Sequence, residues 1–267
     1  MTDLQILTLS LIQGITEFLP VSSSAHLIIT SKLFGWSDQG LAIDVAVHCG
    51  TLLAVILYFW DYVKKGINGG IDIVQKKKTE DASFAMLIIV ATIPIVIIGF
   101  LLKDSISGSF RQENIVSVIA FTSIIFGALL WLVDYATPTF SKVENLDYKH
   151  GMFLGCMQVI ALIPGVSRSG ICMTAGRLLG MERPESAKLS MLMGMPTLFA
   201  ASVLIGFDIY TTENAFFNYG VILAVVISFL FAYITIGTMM KLLEHFSMAV
   251  FASYRILLGI ILLIYFT

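Results

Sequence analysis

Charge is scarce in this chain. Only 13% of its 267 residues are Asp, Glu, Lys or Arg, about half the share usual in a soluble domain. That deficit argues against a water-soluble globular protein. The formal net charge is −2 and no basic run is long enough for a nucleic-acid surface, so no nucleic-acid partner is expected. Cysteine is scarce as well. Cys49, Cys156 and Cys172 have neither disulfide nor zinc spacing and read as small apolar residues. The opening Met1-Thr2-Asp3-Leu4-Gln5 lacks a basic stretch and a small-residue cleavage site, so insertion is expected to rely on the mature helices.

What the chain has in abundance is apolar sequence: 57% hydrophobic residues and a mean hydropathy of +0.90. Six stretches are long enough, or nearly so, to cross roughly 30 Å of hydrocarbon as helices. They lie at about 41–60, 84–102, 115–135, 189–207, 219–240 and 250–266. Tyr58, Trp60, Trp131, Tyr135, Tyr219 and Tyr254 fall at their ends, where interfacial aromatics belong.

Two further apolar stretches, 4–34 and 151–180, are each interrupted by a proline and a serine-rich run. The first break reads Glu17-Phe18-Leu19-Pro20-Val21-Ser22-Ser23-Ser24-Ala25-His26, the second Pro164-Gly165-Val166-Ser167-Arg168-Ser169-Gly170. Neither arm of either stretch is long enough to span a bilayer. Each therefore predicts a re-entrant hairpin, whose broken backbone must face protein or a water-filled cavity.

Loop charge supports that count. Lys64, Lys65, Lys76, Lys77 and Lys78 mark the 63–80 connection as cytoplasmic, as do Lys142 and Lys149 for 136–150, and Arg177, Arg183 and Lys188 for 177–188. The 208–218 connection carries Asp208 and Glu213 and no base, so it is expected outside, together with both termini. The sequence thus predicts an all-α integral membrane protein of six transmembrane helices plus two re-entrant helical hairpins. It forms a single membrane domain over 1–267, an inverted-topology repeat of about 1–140 and 148–267.

Ionisable groups at bilayer depth cost at least roughly 2.5–3.5 kcal/mol each on insertion scales, so they need a reason. The hairpins hold Gln13, Glu17, His26, Arg168 and many hydroxyls. Gln13 and Glu17 share a helical face, and Ser22 and Ser23 lie one turn before His26. Arg168, between Ser167 and Ser169, follows Pro164-Gly165 where a helix would restart and its free N–H groups would attract an anion. Structural alternatives stand beside these readings. Glu17 could pair with Arg168 as an internal tie, His26 could be a hydrogen-bonded packing residue, and serines could bond back to their own helices. His48 could line the site or face solvent from a helix end, Arg255 could snorkel to headgroups, and Gly151-x-x-x-Gly155 and Gly176-x-x-x-Gly180 read as helix-packing faces. Together, arginine, helix starts, hydroxyls, an imidazole and a carboxylate suit phosphoryl transfer on a substrate whose tail stays in lipid.

These motifs resemble those of the undecaprenyl-diphosphate phosphatase family, also called bacitracin resistance protein. The family's Glu/Gln-x-x-x-Glu motif matches Gln13 to Glu17, and the run continues through His26. Its Pro-Gly-x-Ser-Arg-Ser-x-x-Thr motif matches Pro164 to Cys172, and the likeness covers essentially the whole chain, including Tyr254-Arg255. The resemblance implies removal of the terminal phosphate of undecaprenyl diphosphate, which recycles the lipid carrier for peptidoglycan synthesis and confers bacitracin tolerance. It implies a multi-pass protein of the bacterial cytoplasmic membrane with its site opening outward, and leaves open assembly as a homodimer. It also implies a divalent cation, magnesium or calcium, with Glu17 as its protein ligand. By position, Ser23 would be the nucleophile, His26 the general base and acid (or itself the nucleophile), and Arg168 the phosphate clamp. Glu17 would assist, and Ser22, Ser167, Ser169, Gly165, Gln13 and Cys172 would bind substrate. The motif's closing threonine is Cys172 here, and Gln13 removes one possible metal-binding carboxylate. Acid-phosphatase-like lipid phosphatases are excluded, since they need a histidine where Thr174 stands and an aspartate where Leu178 stands. The rival function is a prenyl-phosphate or phospholipid flippase using the same site.

Overall fold

A computed structural model of the chain describes residues 1–36, 40–103, 114–212 and 219–266, without the side chains of 41, 205 and 207–212. Among the described residues the regular structure is helical. The first hairpin is α1 (Asp3–Thr16) and α2 (Ser23–Leu33), followed by α3 (Leu41–Tyr58), α4 (Trp60–Val74), α5 (Glu80–Leu101) and α6 (Ile115–Ala136). The second hairpin is α7 (Tyr148–Val159) and α8 (Arg168–Leu178), followed by α9 (Arg183–Thr212), α10 (Tyr219–His245) and α11 (Ala249–Phe266). Among the described residues five helices are long and apolar enough to cross a membrane, and α3 with α4 would make a sixth. This is a multi-pass, all-α membrane protein.

Two connections differ from the sequence reading. The lysine-bearing 63–80 segment is mostly helix, since α4 leaves α3 at an 86° bend and runs to Val74. Its lysines and exposed Trp60, Ile67, Ile71 and Val74 make it amphipathic, which a loop-charge count cannot separate from coil. Of the acidic 208–218 segment, the first part continues α9, and residues 213–218, with the side chain of Asp208, lie outside the described residues.

Both hairpins break where their prolines stand, because proline lacks the N–H a continuing helix needs. The serines after the breaks, Ser22 and Ser167, have φ of 70° and 72°, among three described non-glycine residues with positive φ. Each is the N-cap of an 11-residue helix. Such backbone costs about 1–3 kcal/mol per residue and persists only where surrounding packing enforces it.

That packing is close. A Cβ at Gly14 of α1 would lie 2.8 Å from the Ser228 carbonyl of α10, and one at Gly155 of α7 would lie 2.7 Å from the Ala91 carbonyl of α5. Gly151 meets Leu87 in the same way, so Gly151-x-x-x-Gly155 is a packing face. Gly180, by contrast, caps α8 at φ 76°, with Phe140 against it. Small residues thus let each hairpin's first arm press against a long span.

The 177–188 charges are not a loose loop cluster. Arg177 is buried and donates from Nε to Asp134 Oδ1 at 3.0 Å, while Arg183 Nε approaches the same oxygen at 2.9 Å. Arg177 also donates to the carbonyls of Thr137 and Met181, and Asp134 Oδ2 accepts from the Met248 N–H at 3.1 Å. One carboxylate therefore ties the ends of α6 and α8 to the starts of α9 and α11. Removing one partner of a buried ion pair costs about 3–5 kcal/mol, because the other charge stays desolvated. Asp134→Asn should therefore lower the thermal midpoint in detergent sharply, whereas Lys64→Ala at the exposed Lys64–Asp61 pair should leave it unchanged.

Candidate active site

The two hairpin breaks meet. Ser169 Oγ, in the first turn of α8, donates to the Leu19 carbonyl in the other break at 2.7 Å. Thr122 of α6 holds the second break from behind by donating to the Pro164 carbonyl at 2.8 Å. Gly165, at φ 86°, sits so close to α6 that a Cβ would lie 2.9 Å from Ile119 Cα. Between the breaks is a cavity of about 160 Å³, lined by Glu17, Ser22, Ser23, Ser24, His48, Gly165, Ser167, Arg168 and Ser169, with Ala161, Ile163 and Leu198 on its apolar side.

Glu17, just beyond α1, is the centre of the polar network. Its Oε2 accepts from Ser23 Oγ at 2.6 Å and from Gln13 Nε2 at 2.9 Å, and its Oε1 accepts from Arg168 Nη2 at 3.0 Å. His48 Nε2 lies 4.0 Å from Oε2. The His48 Nδ1–H donates to the Asp44 carbonyl at 2.6 Å, so in the neutral ring Nε2 keeps a free lone pair. Of the two positions open to His48, the structure shows the one at the cavity.

Arg168 reaches the cavity because α9 has a glycine where its guanidinium lies. A Cβ at Gly194 would fall 2.7 Å from Arg168 Cζ and 3.0 Å from Nη2. Around Arg168, Ser167 Oγ accepts from the Gly170 N–H at 3.1 Å and lies 3.1 Å from Ser169 Oγ. A cation, two serines and a helix start therefore converge on one wall, an arrangement that binds oxyanions. Ser22, Ser23 and Ser24 face it from the start of α2.

His26 is placed differently from the sequence reading. Its Nδ1–H donates to the Ser22 carbonyl at 2.7 Å, and its Nε2 meets the Tyr254 hydroxyl at 2.6 Å. The imidazole is not among the cavity-lining groups, and the Ser23 hydroxyl is paired with Glu17 rather than with it. Cys172 is also away from the cavity, buried in the apolar core beside Ile171 and Met173. Gln13 supports from one layer back, through Glu17.

A matching chemistry calls for a matching ancestry. A model of the bacitracin resistance protein BacA family fits residues 6–261. The chain belongs to that family. Its relatives include Undecaprenyl-diphosphatase 1 of Pseudoalteromonas translucida (strain TAC 125), 42% identical over 273 residues and covering 100% of both chains. Undecaprenyl-diphosphatases of Alteromonas mediterranea, aligned over 98% of each chain, and of Alcanivorax borkumensis, over 97%, are also 42% identical. Within the two hairpin breaks, Glu17, Ser22, Ser23, Ser24, Gly165, Ser167, Arg168 and Ser169 line the cavity, whereas His26 and Cys172 do not.

The residues present do not fit a resident divalent cation. Glu17 is the cavity's single carboxylate, and both its oxygens already accept hydrogen bonds, one of them from a cation. Among the described residues no group of three His, Cys, Asp or Glu side chains is placed to hold a metal ion. Two contributors escaped the motif reading: His48, whose helix position left its direction open, and Gly194, whose role is to be empty space. Gly194→Ala should push the Arg168 guanidinium aside. Stabilisation of the protein by pyrophosphate, read as a thermal shift, should then weaken at least about tenfold in apparent affinity, the loss expected for one charge-assisted hydrogen bond.

Proposed function

We propose that this chain is an undecaprenyl-diphosphate phosphatase, the activity named in its 42%-identical relatives. The observation that carries the reading is the 2.6 Å hydrogen bond from the Ser23 hydroxyl to the Glu17 carboxylate, set opposite Arg168 in a serine-lined cavity. A site that only binds and releases a headgroup needs no serine aimed at a base. Ser23 Oγ attacks the terminal phosphorus while its proton passes to Glu17. The bond from that phosphorus to the bridging oxygen breaks, and the prenyl monophosphate leaves. Water then attacks the phosphoserine, releasing inorganic phosphate, and Glu17 returns the proton to Ser23 Oγ. Arg168 and the N–H groups at the start of α8 face the oxygens on which charge builds.

In this reading the base role falls to Glu17, because of its contact with Ser23. His26 holds the turn instead, through its bond to the Ser22 carbonyl. His48 Nε2 faces the space where the hydrolytic water would stand. A divalent cation would arrive with the diphosphate rather than reside in the protein, as cations shared between one carboxylate and substrate phosphates commonly do.

We also read the chain as an inverted repeat whose two hairpins enter the bilayer from opposite sides and return. Three features support it: the strained serine at the same point of each hairpin, Gln13 and Gln158 each nine residues before it, and the crossed packing of α1 on α10 and of α7 on α5. The exposed lysines of 76–78 support a cytoplasmic placement for the end of α4. With the family membership, this supports a bacterial inner-membrane protein whose site opens to the outer side.

Purified protein in detergent should release inorganic phosphate from a C15 or C55 prenyl diphosphate. Ser23→Ala should reduce release to background, and Glu17→Gln should reduce it about a hundredfold or more. A wild-type protein that binds the lipid but releases no phosphate would instead identify a flippase or carrier. For the cation, magnesium or calcium alone should not shift the thermal midpoint, whereas either should do so together with a non-hydrolysable prenyl diphosphate analogue. A shift with the ion alone would place the cation site in the protein.

A further inference from the structure

Among the described residues Arg255 is the largest side chain with no solvent exposure, at 0%. It sits in the first half of α11, and its guanidinium points inward rather than toward lipid headgroups. Nη2 donates to the Gly165 carbonyl at 3.0 Å and to the Val166 carbonyl at 2.7 Å, the two residues before the strained Ser167. Nε and Nη1 have no hydrogen-bond partner among the described residues. Nor does any described carboxylate pair with this guanidinium. Nη1 lies directly behind the first turn of α8: a Cβ at Gly170 would be 2.8 Å from it and 3.2 Å from Ser167 Oγ.

A fully buried cation without a counter-charge is costly unless something in the working state compensates it. A compensating anion would find room in the cavity lined by the turn that Arg255 holds. The two carbonyls it binds belong to that turn, and Gly165, Ser167, Arg168 and Ser169 of the same turn line the cavity. Gly170 is the residue that lets the guanidinium come this close.

We propose that Arg255 is the positioning residue of the phosphate-binding turn. It grips the turn from behind through the Gly165 and Val166 carbonyls, and its unneutralised charge raises the affinity of the cavity for the terminal phosphate, which it does not touch. This rests on the cavity being the phosphate site, and it gives the Tyr-Arg pair of α11 one role at each break. Tyr254 meets His26 of the first hairpin, and Arg255 holds the second.

The test uses the full-length protein in detergent, with Arg255→Lys and Arg255→Gln compared for thermal stabilisation by inorganic phosphate, product inhibition by phosphate, and kcat and KM on a C15 prenyl diphosphate. Lysine keeps the charge and glutamine keeps hydrogen bonding to the carbonyls. The expected result is a tenfold or greater loss of phosphate affinity and a matching rise in KM for Arg255→Gln, with Arg255→Lys within about threefold of wild type. A merely structural arginine would lower the thermal midpoint of both variants and leave the phosphate affinity of the folded protein unchanged, which would overturn the proposal. If Arg255→Gln does not fold, Gly170→Ala decides, since it crowds the guanidinium off the turn while leaving the residue in place. Normal phosphate affinity in that variant would overturn the proposal. Failure of the wild type to hydrolyse lipid while still binding phosphate would refute the phosphatase reading alone. Failure to bind phosphate at all would refute both.

Discussion

The contact between Glu17 and Arg168 joins side chains 151 positions apart, one from each hairpin, with side-chain exposures of only 6% and 13%. A pair so poorly hydrated is stable only if its remaining hydrogen-bonding capacity is filled. Glu17 meets that condition, with Ser23 and Gln13 as further donors. Arg168 does not: its Nη1 reaches no nearer than 3.5 Å from the Ser190 carbonyl, and the side chain lines the cavity. The carboxylate is therefore held by three hydrogen bonds, while the guanidinium keeps donors open. An incoming phosphate can take up the donors Arg168 leaves open without first dismantling the group that holds Ser23. Binding site and reactive serine share one ion pair, yet each draws on a different side of it.

The backbone around the pair explains why serine, rather than glycine, stands at the two strained positions. Glycine would adopt φ near 70° at no steric cost. At Ser167, however, the hydroxyl accepts from the Gly170 N–H and lies beside Ser169 Oγ, so the side chain organises the helix start that its own backbone distorts. At Ser22 the hydroxyl has no capping bond. Instead it lies 3.4 Å from Ser24 Oγ at the cavity wall, while the Ser22 carbonyl holds His26. Strain of about 1–3 kcal/mol at each site is offset by contacts only a hydroxyl-bearing residue makes.

How far all this was legible in the sequence depends on the kind of signal each residue carries. The spans were legible because lipid imposes length and apolarity on whole stretches, and the breaks because proline and serine clusters are anomalous within them. Glu17, Ser23 and Arg168 were legible as polar residues interrupting otherwise apolar stretches. The meaning of a polar residue at a helix end was not, because direction depends on which helix packs alongside. Arg255 sits near the start of α11, where a long basic side chain has an interface within reach, and only the packing of α6 and α8 turns it inward. For the same reason the sequence showed Arg177 and Arg183 as charge near a helix connection but not that both pair with Asp134. The partner of His26 was not legible from local geometry: a residue one turn after a serine can meet its carbonyl as easily as its hydroxyl. Gly194 carries no sequence signal at all, since its contribution is the room it leaves for Arg168.

The proposed repeat gives the site its asymmetry. Counting from the strained serines, Ser23 and Arg168 occupy the same position, each the first residue of an 11-residue helix. The supporting glutamines also correspond, but Glu17 in one hairpin corresponds to Leu162 in the other, and His26 to Ile171. Two copies of one backbone device thus present the proposed nucleophile, Ser23, from one side and the Arg168 cation from the other. A symmetrical pair of either kind would fail. Two serines would leave the phosphate charge unbalanced at depth, and two arginines facing each other would add a second buried cation with nothing to attack the phosphorus. The proposed inversion would make the unlike pairing geometrically natural, because it would bring the two equivalent helix starts, at Ser23 and Arg168, to one cavity. Specialising the two hairpins then calls for side-chain differences alone, since both share a strained serine followed by an 11-residue helix.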